Sequence, residues 1–198
     1  MPRSLRKGPC VAALWVGAAL GCGSRSRPAE SAGSGARRIE SPPGVVVRRA
    51  CIPTGPERCF DARDDNCNGI IDEGCGISTG LVQFAIAWEE PNADVDLNVT
   101  DPNGELVEVG RVAKSGLRKE KDCPGRHSEC RGQNLENVFL DEGDPPRGEY
   151  RVRVRLEKLG GAEPPIRITL GVRVGPKTYS FDIELSKPED ERELVLEL

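Results

Sequence analysis

Alternation of apolar and polar residues is the feature that most constrains the fold of this chain. From residue 81 onward, apolar side chains recur at every second position, which is the period of a strand with one buried face. Turn sequences such as Asp101-Pro102-Asn103-Gly104 separate the runs. About seven or eight strands at this spacing, without a helical period, predict an all-β fold, an antiparallel, jelly-roll-like β-sandwich over residues 79–198. The clearest runs are Val82–Trp88, Val95–Val99, Tyr150–Leu156, Ile166–Val174, Tyr179–Leu185 and Leu194–Leu198.

Four cysteines at intervals of eight, Cys51, Cys59, Cys67 and Cys75, define a small module over residues 51–76. A segment this short cannot bury a sufficient core, so cross-links or a metal must supply its order. The chain has eight cysteines, which indicates an oxidising compartment and favours disulfides. A zinc site is disfavoured because the close two-residue cysteine spacing is missing. Four cysteines allow three pairings, and the sequence does not choose among them.

Residues 64–75, which end at the last of these cysteines, also fit a calcium loop. Oxygen-bearing groups fall at positions 1, 3, 5, 7 and 9 of the loop pattern, and Gly69 makes the sharp turn at position 6. Position 12 is Cys75 instead of a bidentate glutamate, so we expect a calcium loop without flanking helices. The few charges predict weak affinity, on the order of 10⁻⁴ to 10⁻³ M. The predicted ligands are Asp64, Asn66, Asn68, the carbonyl of Ile70, and Asp72.

A second acidic group lies on a predicted strand. Asp94 and Asp96 are two residues apart, so both carboxylates leave the same face of the strand. Two like charges this close repel unless a cation lies between them or water screens them. We therefore predict a calcium site formed by Asp94 and Asp96, with Glu136 as a third ligand across the sheet. The alternative is an ordinary solvated face.

The N-terminus has the features of an export signal. Three basic residues within the first seven precede the apolar run Val11–Leu20, which is too short to span a bilayer. The sequence Ala19-Leu20-Gly21-Cys22 resembles the lipobox of bacterial lipoproteins. The resemblance implies a signal peptide over residues 1–21, a lipidated Cys22 that anchors the protein to a membrane, and a location in the cell envelope, at the outer membrane or cell surface. The alternative is an ordinary signal peptide and a soluble exported protein.

Composition separates the next segment from the rest. Residues 22–50 are rich in Ser, Gly, Pro and Arg without an apolar period, which predicts a flexible, disordered tether. Residues 51–198 carry 19 basic and 30 acidic side chains, a net charge of −11. We therefore expect no nucleic-acid partner, since that requires a basic face, whereas divalent cations suit this charge.

The segment 111–134 interrupts the alternating pattern. It is long and polar, and loops of this length are usually functional or disordered. Cys123 and Cys130 lie close in sequence and are the natural pair for a local disulfide. The single histidine, His127, lies between them.

Two stretches resemble known families. CFDARDDNCNGIIDEGC, from Cys59 to Cys75, resembles the cysteine-rich metal-binding motif of bacterial surface proteins, which supports the loop ligands named above. WEEPNADVDLNVTDPNGE (88–105), ENVFL (136–140) and RGEYRVRV (147–154) resemble the YfaP-type domain of unknown function. Related sandwich domains with a DxD strand use such aspartates for calcium.

These features predict a non-enzymatic exported lipoprotein, a cell-envelope binding or adhesion module with a weak structural calcium site and an unknown protein or glycan ligand. The alternatives are a carbohydrate-binding module and, less favoured, an envelope-polymer hydrolase. Asp94 and Asp96 lie side by side instead of straddling a bond, and one histidine without a nearby nucleophile makes a poor catalytic site.

Overall fold

The described part of the chain is all β. The computed structural model describes residues 35–124, 130 and 132–198. These residues form ten strands in two antiparallel sheets and no helix, which confirms the predicted fold class. No helix that could cross a membrane occurs among them. The strands are β1 (Arg38–Glu40), β2 (Val46–Arg48), β3 (Val82–Trp88), β4 (Asp94–Thr100), β5 (Arg118–Asp122), β6 (Leu135–Leu140), β7 (Glu149–Lys158), β8 (Ile166–Val174), β9 (Lys177–Leu185) and β10 (Glu191–Glu197).

The two sheets enclose one apolar core between their inner faces. The four-stranded sheet has the order β1-β10-β7-β4 and the six-stranded sheet the order β2-β9-β8-β3-β6-β5. Alternation on β7 shows how the sequence makes this packing, since Tyr150, Val152 and Val154 are fully buried. Arg151 and Arg153 between them leave the opposite face and pair with glutamates of β10. The period of two therefore sorts side chains between core and solvent as predicted.

The N-terminal strands close one side of the sandwich. β1 pairs with β10 and β2 pairs with β9, so residues 38–48 pass from the edge of one sheet to the edge of the other. Ile39 and Val47 pack against the core. The predicted tether over 22–50 is therefore wrong for residues 38–48. The sequence did not reveal β1 and β2 because each has only three residues, too few to show a period of two. Cys22 and the predicted signal peptide lie outside the described residues.

The polar insertion also contributes a strand. β5 pairs with β6 and forms the other edge of the six-stranded sheet. Its sequence, RKEKD, contains no apolar residue, so periodicity does not identify it. Cys123 and Cys130 form the predicted disulfide directly after β5. His127 lies outside the described residues.

The cysteine-rich module packs on the outer face of the six-stranded sheet. Disulfides join Cys51 to Cys67 and Cys59 to Cys75, so the two loops interlace. Module residues Ala62 and Ile71 form a second apolar cluster with outward-facing residues of β3 and β6, the three being Ala85, Ala87 and Leu135. β3 is consequently buried on both faces. Arg63 fastens this contact by donating to Thr169 at 3.0 Å and to Asp182 at 2.9 Å.

Close backbone approach at Gly171 makes the contact possible, and it can be tested. A Cβ at this position would lie 2.2 Å from the carbonyl oxygen of Ala62 and 3.0 Å from Cδ1 of Ile71. We expect Gly171→Ala to push the module off the sheet, at a cost of about 1–3 kcal/mol. Hydrogen exchange should show faster amide exchange in residues 60–72. Gly104→Ala, where a Cβ meets nothing within 4 Å, should leave that exchange unchanged; equal exchange in both variants would refute the contact.

Candidate metal centre at the open side of the sandwich

The side of the sandwich opposite β1 and β2 is bounded by two edge strands. β4 ends the four-stranded sheet and β5 ends the six-stranded sheet. The segment after β4 makes isolated β-bridges to both of these edges, from Leu106 to Thr100 and from Val109 to Lys119. Charged side chains fill this gap between the sheets, where apolar residues fill the rest of the core.

Glu136 is the innermost of these charged residues. Its neighbours Val138 and Leu140, at alternate positions on β6, belong to the core, so Glu136 also faces inward, and it is fully buried. Its Oε2 accepts hydrogen bonds from the Leu97 N–H at 2.6 Å and from the Lys119 ammonium at 2.7 Å. Its Oε1 is buried and accepts no hydrogen bond. A buried carboxylate oxygen without a donor is costly, so the Glu136 carboxylate is stabilised either by a proton, which a hydrogen bond with Asp122 uses, or by a cation.

Two further carboxylates converge on Glu136. One oxygen each of Asp96, Asp122 and Glu136 lie within 4.8 Å of one another, and this is the one such acidic group among the described residues. Lys119 also contacts Asp122, at 3.3 Å. Asp96 has no hydrogen bond or ion pair within the described part of the chain. The ammonium of Lys119 therefore lies directly against two of the three carboxylates, Asp122 and Glu136.

The pKa values of Asp96, Glu136 and Lys119 are shifted by burial and by the charges of neighbouring groups. Burial raises the pKa of Asp96, with Glu157 and Asp94 adding to the shift and Lys119 opposing it. Burial also raises the pKa of Glu136 well above its usual value, against the ammonium of Lys119. Burial lowers the pKa of Lys119, but the charges of Glu136, Asp122 and Asp96 more than compensate, so the net shift is upward. A cluster that holds its protons this tightly also favours a bound cation.

The structure brings together two of the three residues predicted for this site. Asp96 and Glu136 do converge, across the two sheets. Asp94 does not join them but pairs with Lys158 at 3.1 Å, beside an irregularity of register between Asp94 and Val95. The side chain of Asp94 is therefore not aligned with that of Asp96, as a regular strand would require.

Asp122 and Lys119 were missed by sequence reasoning. A bulge between Lys119 and Lys121 brings Lys119 and Asp122, three positions apart, to the same side of β5. Regular alternation would place them on opposite faces. Because β5 has no apolar residue, nothing in its sequence reveals the bulge.

A groove of about 710 Å³ opens over the centre. Five acidic side chains and two lysines line it, so it is acidic as a whole, and no aromatic residue is among its lining. Leu106, which is 44% exposed, forms part of its rim. The charged lining residues are Asp94, Asp96, Glu108, Asp122, Glu157, Lys119 and Lys158.

The predicted ligands of the cysteine-rich loop make mostly protein contacts. Asp64 accepts the N–H groups of Asn68 and Gly69 and the hydroxyl of Thr178 on β9, at 3.0, 2.9 and 2.9 Å. It therefore ties the module to the sheet. Asp72 is fully buried and accepts three successive N–H groups, of residues 60, 61 and 62. These bonds order the loop by themselves.

The two asparagines of the loop donate to Glu73, which is not one of the predicted ligands. Asn66 and Asn68 each donate a side-chain N–H to Oε1 of Glu73, at 2.5 Å. Their own oxygens accept the N–H groups of Asn68 and Ile70. No three acidic or cysteine side chains of the described module converge as ligands. Calcium in this loop, with Ile70 as carbonyl ligand, stays a prediction.

Glu57 gives the module a pH dependence that can be measured. Its carboxylate accepts the N–H of Asp72 at 2.8 Å and of Asp65 at 3.1 Å, while burial and the charge of Glu73 raise its pKa to about 7. The unfolded chain has a glutamate pKa of about 4.3. The folded state binds this proton more tightly, so the stabilisation is complete below about pH 4 and is lost as the pH rises through about 7.

We expect amide protection in residues 57–72, corrected for intrinsic exchange rates, to be greater at pH 5 than at pH 8. Glu57→Gln should reduce this difference, because the side chain no longer titrates, and the remainder comes from Asp72, whose pKa burial raises to about 6. Glu184→Gln, an exposed residue on β9, should retain it. Protection that is independent of pH in the native protein would contradict the assignment.

Comparison with protein-family models, curated proteins and solved structures gives no significant match for this chain. The resemblances described above thus remain predictions that rest on the quoted residues.

Proposed function

We propose that this protein is a non-enzymatic, exported binding module of the cell envelope, lipid-anchored at Cys22, that holds a calcium ion at the open side of its sandwich. The acidic groove above that ion is the ligand surface. The observation that carries the proposal is the fully buried carboxylate of Glu136, which converges with two further carboxylates and has one oxygen that accepts no hydrogen bond.

The ligand chemistry supports calcium. Carboxylate oxygens are hard ligands, and Ca²⁺ takes six to eight oxygens in flexible geometry. Asp96, Asp122 and Glu136 supply part of such a shell, and the groove leaves the remainder to water or a bound ligand. Lys119 contacts Asp122 and Oε2 of Glu136, and its charge opposes a second cation. The affinity is therefore weak, on the order of 10⁻⁴ to 10⁻³ M, as in extracellular calcium modules.

The same geometry supports a binding role over hydrolysis. Glycosidases hold their two carboxyl groups about 5 Å or more apart to flank a bond. Asp96, Asp122 and Glu136 converge within 4.8 Å, and Lys119 already occupies one side of the group. A sugar ligand is the second candidate. Since the groove has no aromatic residue for stacking, a glycan would bind through the ion and the polar rim.

Isothermal calorimetry and thermal unfolding of the oxidised protein test the proposal. At 10 mM calcium, an ion with the affinity given above stabilises the folded state by about 1.4–2.7 kcal/mol. This corresponds to a rise in Tm of roughly 3–10 °C relative to chelator. Asp96→Asn should remove most of the rise in Tm, because it removes one of the three carboxylate ligands. The substitution breaks no hydrogen bond or ion pair among the described residues, so the folded state should otherwise be unchanged.

Asp94→Asn is the matched control, since Asp94 lines the same groove but pairs with Lys158. It should retain the calcium effect. A Tm that does not change between millimolar calcium and chelator, or an effect that survives Asp96→Asn, would contradict the proposal.

A further inference from the structure

Two exposed aliphatic side chains belong to β2 and to the segment that follows it, at the edge of the six-stranded sheet. Val46 on β2 is 58% exposed and Ile52, at the start of the module, is 78% exposed. Between them in sequence, Val47 turns inward to the core, so Val46 and Arg48 share the outer face of β2. Ile52 and Arg48 line the same cavity of about 490 Å³, whose wall also includes Ala62, Ile71 and Tyr179. We call Val46, Arg48, Arg49 and Ile52 the edge patch.

The charge exposed at the edge patch is positive, although the protein is acidic. Arg48 has a side chain that is 59% exposed and pairs with Asp182 on the sheet. Arg49 is exposed and has no ion pair among the described residues. The acids that line the neighbouring cavity, Asp64 and Asp65, are only 8% and 4% exposed and accept hydrogen bonds within the protein. Solvent at the patch therefore meets guanidinium groups and aliphatic carbons.

The described chain begins on the same side of the sandwich as this patch. At Gly35, the first described residue, a Cβ would lie 2.7 Å from Cδ of Lys177 and 3.0 Å from the hydroxyl of Tyr179, both on β9, the strand that pairs with β2. A lipid anchor at Cys22 precedes Gly35 by 13 residues. A chain of that length spans at most about 45 Å. An anchor at Cys22 would therefore keep the patch within reach of the surface that carries the anchor.

We propose that the edge patch lies on an anionic lipid bilayer, with Arg48 and Arg49 against lipid phosphates and Ile52 and Val46 at the level of the head groups. Basic residues gain energy from the surface potential of anionic lipids, and aliphatic residues gain it by leaving water. The open side of the sandwich, with β4 and β5, is opposite this edge and faces away from the membrane. The acidic groove is consequently directed outward, toward a ligand.

This inference rests on the proposed lipid anchor, and the test removes that anchor so that the two can fail separately. The mature chain from residue 22 with Cys22→Ser is sedimented with vesicles of phosphatidylcholine and phosphatidylglycerol at about 7:3, and with phosphatidylcholine alone, over millimolar lipid. We expect several-fold tighter binding to the anionic vesicles, decreasing as salt is raised from about 50 to 200 mM. Mass spectrometry of the native mature protein separately reports lipid on Cys22.

Two substitutions in the patch and two matched controls locate the surface. Arg49→Glu and Ile52→Ser should each weaken binding to anionic vesicles roughly tenfold. The controls Arg111→Glu and Leu106→Ser change an exposed arginine and a leucine that is 44% exposed, both on the open side, and they should bind as the parent chain does. The inference is overturned if no vesicle binds, if neutral and anionic vesicles bind equally, or if the patch variants behave like the controls.

Discussion

Glu136→Ala is expected to lower the free energy of unfolding by about 3–5 kcal/mol, the usual cost of removing one member of a buried ion pair. The substitution leaves the ammonium of Lys119, whose side chain is only 8% exposed, without its closest partner. It also leaves the N–H of Leu97 without its acceptor at the edge of β4. Chemical denaturation at pH 7 in chelator measures the effect without any contribution from calcium.

A double substitution separates the charge from the packing. Glu136→Leu together with Lys119→Met replaces the pair by apolar side chains of similar size. We expect this variant to recover most of the lost stability, because such exchanges are often neutral or stabilising. It should not recover calcium binding. A loss of less than about 1 kcal/mol in Glu136→Ala would mean that water reaches the site and that the carboxylate is not buried as described.

Removing one interlaced disulfide should produce the second large effect. A disulfide that closes a loop of about 15 residues contributes roughly 3 kcal/mol by restricting the unfolded chain, and Cys59 and Cys75 are 16 residues apart. The module has a small apolar cluster and depends on its cross-links. We therefore expect Cys59→Ser with Cys75→Ser to abolish amide protection in residues 51–76 while the sandwich stays folded.

The Cys123–Cys130 disulfide supplies the matched control. It lies in the insertion after β5, away from the module. Cys123→Ser with Cys130→Ser should leave amide protection in the module unchanged. If the module keeps its protection without Cys59 and Cys75, its order comes from packing on the sheet, and the role assigned to the cross-links is wrong.

Periodicity predicted β3, β4 and β7 to β10 because apolar residues recur at every second position along them. It failed for β1, β2 and β5, where short length or a wholly charged sequence leaves no period, and it did not identify β6, where Glu136 takes one of the inward positions. The pairing of the four module cysteines could not be predicted either, because the sequence is compatible with all three possible pairings. Cys51–Cys67 and Cys59–Cys75 follow from how the module folds over the sheet.

The candidate site shows the same limit. The DxD spacing identified Asp96, and the suggestion of a ligand across the sheet identified Glu136, because both follow from regular strands. Asp94 and Asp122 depend on irregular register in β4 and β5, which the sequence does not signal. Bulges are common at sheet edges and re-aim side chains there. Sequence periodicity therefore finds the site residues that lie on regular strands before those that depend on a bulge.

Anomalous X-ray scattering from crystals grown in about 10 mM calcium tests the central claim most directly. We predict a strong peak at the open side of the sandwich, about 2.3–2.6 Å from oxygens of Asp96, Asp122 and Glu136, with Lys119 still bonded to Oε2 of Glu136. A map without a peak between these carboxylates, or with calcium only in the Cys59–Cys75 loop, would contradict it.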